Sequence, residues 1–474
     1  MGPRPSTPAV RRVPLGREST SSNGDGGGAN TADVQPRAGQ GKEEETLMKL
    51  ARVGAALAIA SIVVGACSGS ATTAPSAGGG ASAAAGSIAV KIGIELPMTG
   101  GEAPNGVPTA NGVKLAISKI QVPGFTVTIN QQDDAVNGVH NPQQGAKNVT
   151  TLANDPAVFG IVGPFNTPVA QAEIPVSNAA GLMLCSPANT NPVLTKPWGG
   201  VDPKSLRPTN PDKIAYVRVA STDDIQGAAG ADLAFNTAKA TTVYVADDTQ
   251  TYGKGLADIF ADSFTKLGGK VLKRDGIPGT TTDFTSYVTT VKGLAPQYVF
   301  YGGVTTSGIG LFRKQMAQQG IASIPLGGGD GIVDGSAATA SSFLQIAGDG
   351  AANTYGTVAA SHDIPNAAQF AADYKAMFNT DPGAYSAAGY ACTQVYLQAL
   401  AKVGAGVTDL AKLREAVRAY VADPANSYDS VLGKFNFDAN GDTSQKIISS
   451  YQYDATTKDW KFLSHRDFTA NPIK

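Results

Sequence analysis

The feature that most constrains this chain is a rhythm. From Ser87 onward, short apolar runs alternate with stretches of helical length, and at Thr242 the rhythm starts again. Ile88-Ala89-Val90-Lys91-Ile92-Gly93-Ile94 predicts a buried strand, followed by a helix around Ala110–Ile120. Phe125–Ile129 predicts a second strand, with a helix over Gln143–Ala153. Val158–Val162 predicts a third, with a helix over 168–179, and Leu182–Cys185 a fourth. The second block reads as a strand at Thr242–Ala246, a helix near 253–267, and strands at Lys270–Leu272 and Tyr298–Tyr301. Short continuous apolar strands between helices belong to parallel, doubly wound α/β sheets covered on both faces. A length of 474 residues exceeds what one core usually supports, so two lobes are expected. Ligands in such sheets gather beyond the carboxyl ends of the strands, here in a cleft between lobes.

Charge and motif content exclude several functions. Lys+Arg 37 against Asp+Glu 38 gives no basic surface for nucleic acid or for a broad membrane footprint. Three cysteines cannot build a disulfide framework, and no Cys/His spacing suggests a zinc site. Cys392 sits in a helical apolar stripe and Cys185 ends an apolar strand, so both are expected as packed thiols. There is no P-loop, no G-x-S-x-G elbow and no H-E-x-x-H. His140, His362 and His465 are far apart, and none neighbours a nucleophile. The chain is therefore expected to be no enzyme and to need no metal or cofactor. Gly327-Gly328-Gly329-Asp330-Gly331 lacks dinucleotide spacing and reads as backbone passing close to a ligand.

The amino-terminal part reads as targeting. Residues 1–47 are polar and lack apolar periodicity, whereas 48–66 run from a short basic start into an apolar stretch. That is the order of a secretory signal, and the stretch is shorter than the about 20 residues a bilayer span needs. Val64-Gly65-Ala66-Cys67 resembles a bacterial lipobox, which makes Cys67 the expected lipidation site. A single transmembrane anchor is the competing reading. The natural start is expected at Met48, with 1–47 an over-extended reading frame or, alternatively, a disordered leader. The Ala/Gly/Ser/Thr stretch over 67–86 is expected to be a flexible tether.

A series of short motifs then gains meaning from its order. Val90-Lys91-Ile92-Gly93 and Pro97-Met98-Thr99-Gly100 are followed by Asp133-Asp134 and Asn141-Pro142-Gln143-Gln144-Gly145-Ala146. Next come Ile161-Val162-Gly163, Cys185-Ser186-Pro187-Ala188-Asn189-Thr190, Gln250-Thr251-Tyr252-Gly253-Lys254-Gly255 and Tyr301-Gly302-Gly303. Asp381-Pro382 and Phe435-Asn436-Phe437-Asp438-Ala439-Asn440-Gly441-Asp442 close the series. In this order the body from Ile88 to Lys474 resembles the branched-chain amino acid (Leu/Ile/Val) binding proteins of ABC importers, which have the type I periplasmic-binding-protein fold.

The resemblance implies a pocket. Thr167, with neighbours Phe165 and Asn166, stands where the family offers a hydroxyl to the ligand α-carboxylate at a helix start; a simple N-cap is the competing reading. Pro168 then opens the helix. Ala188, Asn189 and Thr190 stand where relatives flank the ligand's amino and carboxyl groups, although a self-capped turn also fits. Tyr252 matches a tyrosine that closes over the ligand, or else a packing residue. Asp330 matches an acid paired with the ligand ammonium, or else a solvated loop acid. Where the Leu/Ile/Val binders carry tyrosines, this chain has Val304 and, nearby, Asn105. Their disulfide near the ligand is missing, with Val136 and Asn166 at those sites. Phe165 and Tyr385 remain as apolar walls.

The resemblance further implies two doubly wound parallel-sheet lobes, 87–219 with 360–440 and 220–359 with 441–474. A three-segment hinge would join them near 218–222, 357–361 and 437–443. It implies an extracytoplasmic, lipid-anchored monomer that hands an amino acid, branched-chain or related and apolar, to an ABC permease and its ATPase subunits by hinge closure. Within the same fold a binder of an amide, urea or aromatic acid is the alternative, and a ligand-sensing subunit for a membrane receptor is another.

Overall fold

A computed structural model describes Gly2 and residues 86–469. The expected signal segment 48–66, Cys67, most of the expected tether and, apart from Gly2, residues 1–47 lie outside the described residues.

The first sheet contains β1 (Ile88–Leu96), β2 (Phe125–Asp133), β3 (Val158–Val162), β4 (Leu184–Ser186) and β5 (Tyr216–Arg218), in the order β2-β1-β3-β4-β5, all parallel. Val90, Ile92 and Ile94 of β1 point to one side, toward α1 (Ala103–Lys119). Ile161 of β3 and Leu184 of β4 point to the other, where α2 (Pro142–Asn154) and α3 (Thr167–Ala180) supply Val149, Leu152, Ala170 and Ile174. Burial on both faces explains why these strands read as continuous apolar runs.

After α4 (Asp223–Asp232), a second sheet is built from β6 (Thr242–Asp247), β7 (Lys270–Gly276), β8 (Tyr298–Gly302), β9 (Leu326–Gly328), β10 (Thr354–Val358), β11 (Ile447–Asp454) and β12 (Asp459–Asp467). Its order is β12-β11-β10-β9-β8-β6-β7. Period-2 alternation divides its core. Val243, Val245, Tyr298 and Phe300 pack against α4 and α5 (Thr251–Lys266). Tyr244, Ala246, Val299 and Tyr301 face α6 (Thr285–Leu294) and α7 (Ile309–Gln318). The sheet is not wholly parallel, because β11 pairs antiparallel with β10 and with β12. Such an edge hairpin on a parallel sheet is common, and its half-exposed residues carry little apolar signal.

The helices α8 (Ala367–Phe378), α9 (Ser386–Val403) and α10 (Leu410–Ala422) follow the second sheet's parallel strands in sequence, yet α9 packs on α1, β3 and β4, and α10 on β3 and β5. The chain thus returns to complete its first lobe. The three crossover segments lie side by side. Arg218 N–H bonds Gly441 O at 3.0 Å, and Ser221 N–H bonds Ala359 O at 3.1 Å. Arg218 is fully buried; its Nε donates to Asp442 Oδ1 at 2.7 Å and its Nη1 to Asn191 O at 2.7 Å. Burial would raise the Asp442 pKa, but the guanidinium charge outweighs it and holds the carboxyl below its ordinary value.

The expectation of two packed thiols is corrected: Cys185 and Cys392 form a disulfide across 207 residues of sequence. The end of β4 meets α9 with the two Cα atoms 5.7 Å apart, within disulfide reach. A separate buried cluster joins Glu95 of β1, Asp134 and Glu173 of α3. Glu95 Oε1 accepts from Asn148 Nδ2 at 3.0 Å, and the other five carboxylate oxygens lack a donor. Burial pushes all three pKa values up; repulsion from the neighbouring acids adds to it at Asp134 and Glu173, while the Glu173 carboxyl and the Asn148 amide hold Glu95 part of the way back.

Candidate functional site

At the carboxyl end of β3 the chain passes Gly163-Pro164 and Phe165 before entering α3. The helix begins at Thr167, one residue earlier than expected, so Thr167 is its first helical residue and Pro168 its second. Asn166 is the N-cap. Its backbone is extended, its side chain makes no capping bond, and its Oδ1 has no donor although the residue is only 6% exposed. Thr167 is buried at the rim of the cleft, where the first turn of α3 presents its unpaired N–H groups and positive dipole end.

The loop after β4 holds Ala188, Asn189 and Thr190 at the same cleft. Asn189 is committed inward: its Nδ2 donates to Phe165 O at 2.6 Å, and its Oδ1 accepts from the Tyr216 hydroxyl at 3.0 Å. Ser186 Oγ accepts from Asn189 N–H at 2.9 Å and donates to Pro164 O at 2.7 Å. Asn189 therefore braces the loop. Ala188 and Thr190 line the cleft beside it, with Thr190 tied to the start of α4, where its carbonyl accepts from Asp223 N–H at 2.8 Å and its hydroxyl meets the Asp223 carboxyl.

The opposite wall comes from the second lobe. Tyr252, in the first turn of α5, donates to Asp330 Oδ1 at 2.7 Å. Gln226 Nε2 donates to the same oxygen at 2.8 Å, and the Tyr385 hydroxyl donates to Oδ2 at 2.8 Å. Asp330 is buried, not a solvated loop acid. Burial raises its pKa and the three donors pull it part of the way back. The glycines around it serve tyrosines more directly than a ligand. A Cβ on Gly329 would stand 2.5 Å from the Tyr252 hydroxyl, and one on Gly327 would stand 2.1 Å from that of Tyr298. Tyr385 is more than an apolar wall: its ring packs edge-on against Phe165 at 5.4 Å while its hydroxyl reaches Asp330. Asn105 and Val304 line the cleft as well.

Sequence reading missed a second polar cluster on the same walls. A short hairpin, Ala135–Val136 with Val139–His140, brings His140 beside Glu102, with Nδ1 2.9 Å from Oε1. Thr306 of the second lobe donates to the same Glu102 oxygen at 2.7 Å. Gln250 Oε1 lies 3.0 Å from His140 Nε2. Asp248 Oδ2 accepts from Ser307 at 2.8 Å, and Asp334 Oδ1 accepts from Phe343 N–H at 2.9 Å. Burial alone would favour the neutral forms of Glu102 and His140. Their mutual bond and charge outweigh it, lowering the first pKa and raising the second. Asp334 is pushed up by burial to about 7. Glu102 follows the quoted Thr99-Gly100 motif and Gln250 opens Gln250-Thr251-Tyr252, so position beside a motif was the available signal.

The centre of a water-sized sphere can reach about 30 Å³ of the cleft, far below the about 300–1,000 Å³ usual for small-molecule sites, so the two walls stand close together and must part to admit a ligand. No Lys or Arg lines the cleft. It offers hydroxyls and a helix start on one side and buried carboxylates on the other, with no nucleophile–base pair between them.

Residues 89–457 match the family model described as periplasmic binding protein. The chain is 28% identical over 373 residues to the Leu/Ile/Val-binding protein BraC3 of Rhizobium johnstonii, covering 77% of this chain and 92% of that protein. It is 30% identical to Leu/Ile/Val-binding protein homolog 1 of Brucella abortus, covering 74% and 87%. Among solved structures, the leucine binding protein LivK of Thermotoga maritima aligns with a TM-score of 0.64 at 26% identity, covering 79% of this chain and 98% of that one. A Rhodopseudomonas palustris solute binding protein in complex with 3,4-dihydroxybenzoic acid aligns with a TM-score of 0.64 at 23% identity, over 80% and 97%. Two α/β lobes, a cleft lined from both and a match along nearly the whole described body lead to one conclusion: this chain belongs to the periplasmic binding protein family, the extracytoplasmic solute-binding components of ABC transporters, and is not an enzyme.

Proposed function

We propose that this protein captures an α-amino acid and delivers it to an ABC permease by hinge closure. The observation that carries the reading is the polarity of the cleft. The Thr167 hydroxyl and the unpaired N–H groups at the start of α3 suit a carboxylate, and buried Asp330 opposite them has three neutral donors and no protein cation. A buried carboxylate costs several kcal/mol unless paired, and a ligand ammonium supplies the missing charge. An aromatic acid brings only an anion, and the cleft has no Lys or Arg to meet it. The curated relatives named for Leu, Ile and Val point the same way.

Closure would rotate one lobe, 87–219 with 360–440, against the other, 220–359 with 441–474, about the three adjacent crossovers. An acyl chain on Cys67 and the tether would keep the protein, acting as a monomer, near its permease. The test is calorimetric titration with α-amino acids, their deaminated analogues and benzoates. Binding of the deaminated acids as tightly as their parents would remove the amino-acid reading.

A further inference from the structure

If the ligand is an α-amino acid, its backbone atoms engage only part of the cleft. The remainder is not the hydrocarbon-lined space that a leucine side chain needs. Phe165 and Val304 are apolar, but Glu102, Asp248 and Asp334 share those walls with His140, Gln250 and Thr306. Counted with Asp330, four acids face the cleft against one imidazole, which is spent on Glu102. Burial pushes Asp248, Asp330 and Asp334 toward their neutral forms, and a cation brought among them would hold them ionised. Asn166, whose buried Oδ1 has no donor, lines the same space.

A zwitterion leaves this imbalance unchanged, since its ammonium meets Asp330 and its carboxylate adds another negative charge. Burying apolar carbon there would also leave Asn166 Oδ1 without a donor and set hydrocarbon against Asp248 and Asp334. A side chain ending in a cation with several N–H groups corrects both faults, because it supplies charge and donors together. The second lobe contributes Asp248, Asp334, Thr306 and Gln250 to this end, so the terminus would be enclosed only when the lobes meet.

We propose that the cluster of Glu102, His140, Asp248 and Asp334, with Asn166, is a subsite for a cationic side-chain terminus, making the ligand a basic amino acid bearing a guanidinium or primary ammonium group. This rests on the α-amino-acid reading above and narrows it. Glu102, His140 and Asp334 act as specificity-determining residues, and Asp330 reads the α-ammonium.

Calorimetry on the purified protein should compare L-arginine, L-lysine, L-glutamine, L-leucine and 4-hydroxybenzoate. One of the two basic amino acids is expected to bind about 10- to 100-fold tighter than leucine, the span of a hydrogen-bonded charge. Glu102→Gln and Asp334→Asn should each erase much of that preference, read as the ratio of basic-amino-acid to leucine affinity within each variant, with ligand-free melting curves confirming that the variants fold. Leucine or glutamine binding as tightly as the better basic amino acid overturns the subsite and leaves the amino-acid reading standing. Binding of 4-hydroxybenzoate alone, or of none of the five at millimolar concentration, overturns both.

Discussion

The Tyr385 hydroxyl, carried by the segment that leads into α9 on the first lobe, donates a 2.8 Å hydrogen bond to Oδ2 of Asp330 on the second. The acid at the heart of the cleft is therefore gripped from both lobes. Tyr385→Phe removes that cross-lobe tie while keeping the ring against Phe165. Ligand affinity should fall by about 1.5–3 kcal/mol, the value of a bond to a charged group, with little change in the ligand-free melting temperature. Small-angle scattering should find the ligand-free variant more open. An affinity equal to wild type would deny the tie any weight.

Asp330→Asn tests the ammonium reading directly. If the ligand carries an amine, the change leaves that cation enclosed without an ion partner and should cost about 2–5 kcal/mol. An uncharged ligand would tolerate the amide within about 1–1.5 kcal/mol, because an oxygen acceptor remains. Titrations with the ligand and its deaminated analogue should show wild-type discrimination largely abolished in the variant. Equal discrimination in both proteins rules Asp330 out as the reader of the amine.

Thr167 heads α3 without capping it, so its hydroxyl is free for the ligand. Thr167→Val keeps the volume and should weaken binding by about 1.5–3 kcal/mol. The ligand-free melting temperature should hardly move. A variant that melts early but binds normally would give Thr167 a purely local role.

The Cys185–Cys392 bridge closes a loop of 207 residues. Removing a native disulfide typically costs about 2–5 kcal/mol, and the chain-entropy account puts so long a loop at the top of that span. Paired Cys185→Ala and Cys392→Ala substitutions should lower the denaturation midpoint accordingly. Wild-type protein in strong reductant should approach the variant. A midpoint indifferent to both treatments would mean that the bridge adds nothing to stability.

The buried Glu95, Asp134 and Glu173 cluster gives a pH signature. Each folded pKa is raised, so the folded state retains protons that the unfolded chain releases. Their contribution to stability is therefore full below the unfolded values, near about pH 4, and is lost as pH rises through the folded ones. Glu173→Gln removes one such proton requirement with little change in shape. Its melting temperature should gain on wild type as pH climbs from about 4 to about 9. A gap between the two that stays constant across the range counts against this account.

How much of this could be read from sequence follows from range. Strands such as Val158–Val162 and helices such as α3 announce themselves through local periodicity, and the structure places them within a few residues of expectation. Thr167, Thr190, Tyr252 and Asp330 each sit in a short motif after a strand, which singles them out in the sequence, and the structure lines one cleft with all four. Tyr385 was recognised only as a ring, since nothing local reveals that its hydroxyl meets Asp330. His140 looked solitary because its partners Glu102 and Gln250 lie 38 and 110 residues away. The same distance hid Cys392 from Cys185. Contacts made by folding, with no motif at either end, leave no local trace.

The return of α9 and α10 to the first sheet gives the chain an order of assembly. A polypeptide emerging amino end first, from a ribosome or an export channel, exposes all five strands of that sheet long before its last covering helices exist. The second lobe's parallel strands are made in the interval, so they can collapse while the first lobe is still bare on one side. Non-local completion of this kind slows folding and prolongs exposure of apolar surface. Through that interval Cys185 waits for a partner, and the chain's other upstream cysteine is Cys67. Acylation there, as proposed, would take the one competing thiol out of play and leave Cys185 a single choice.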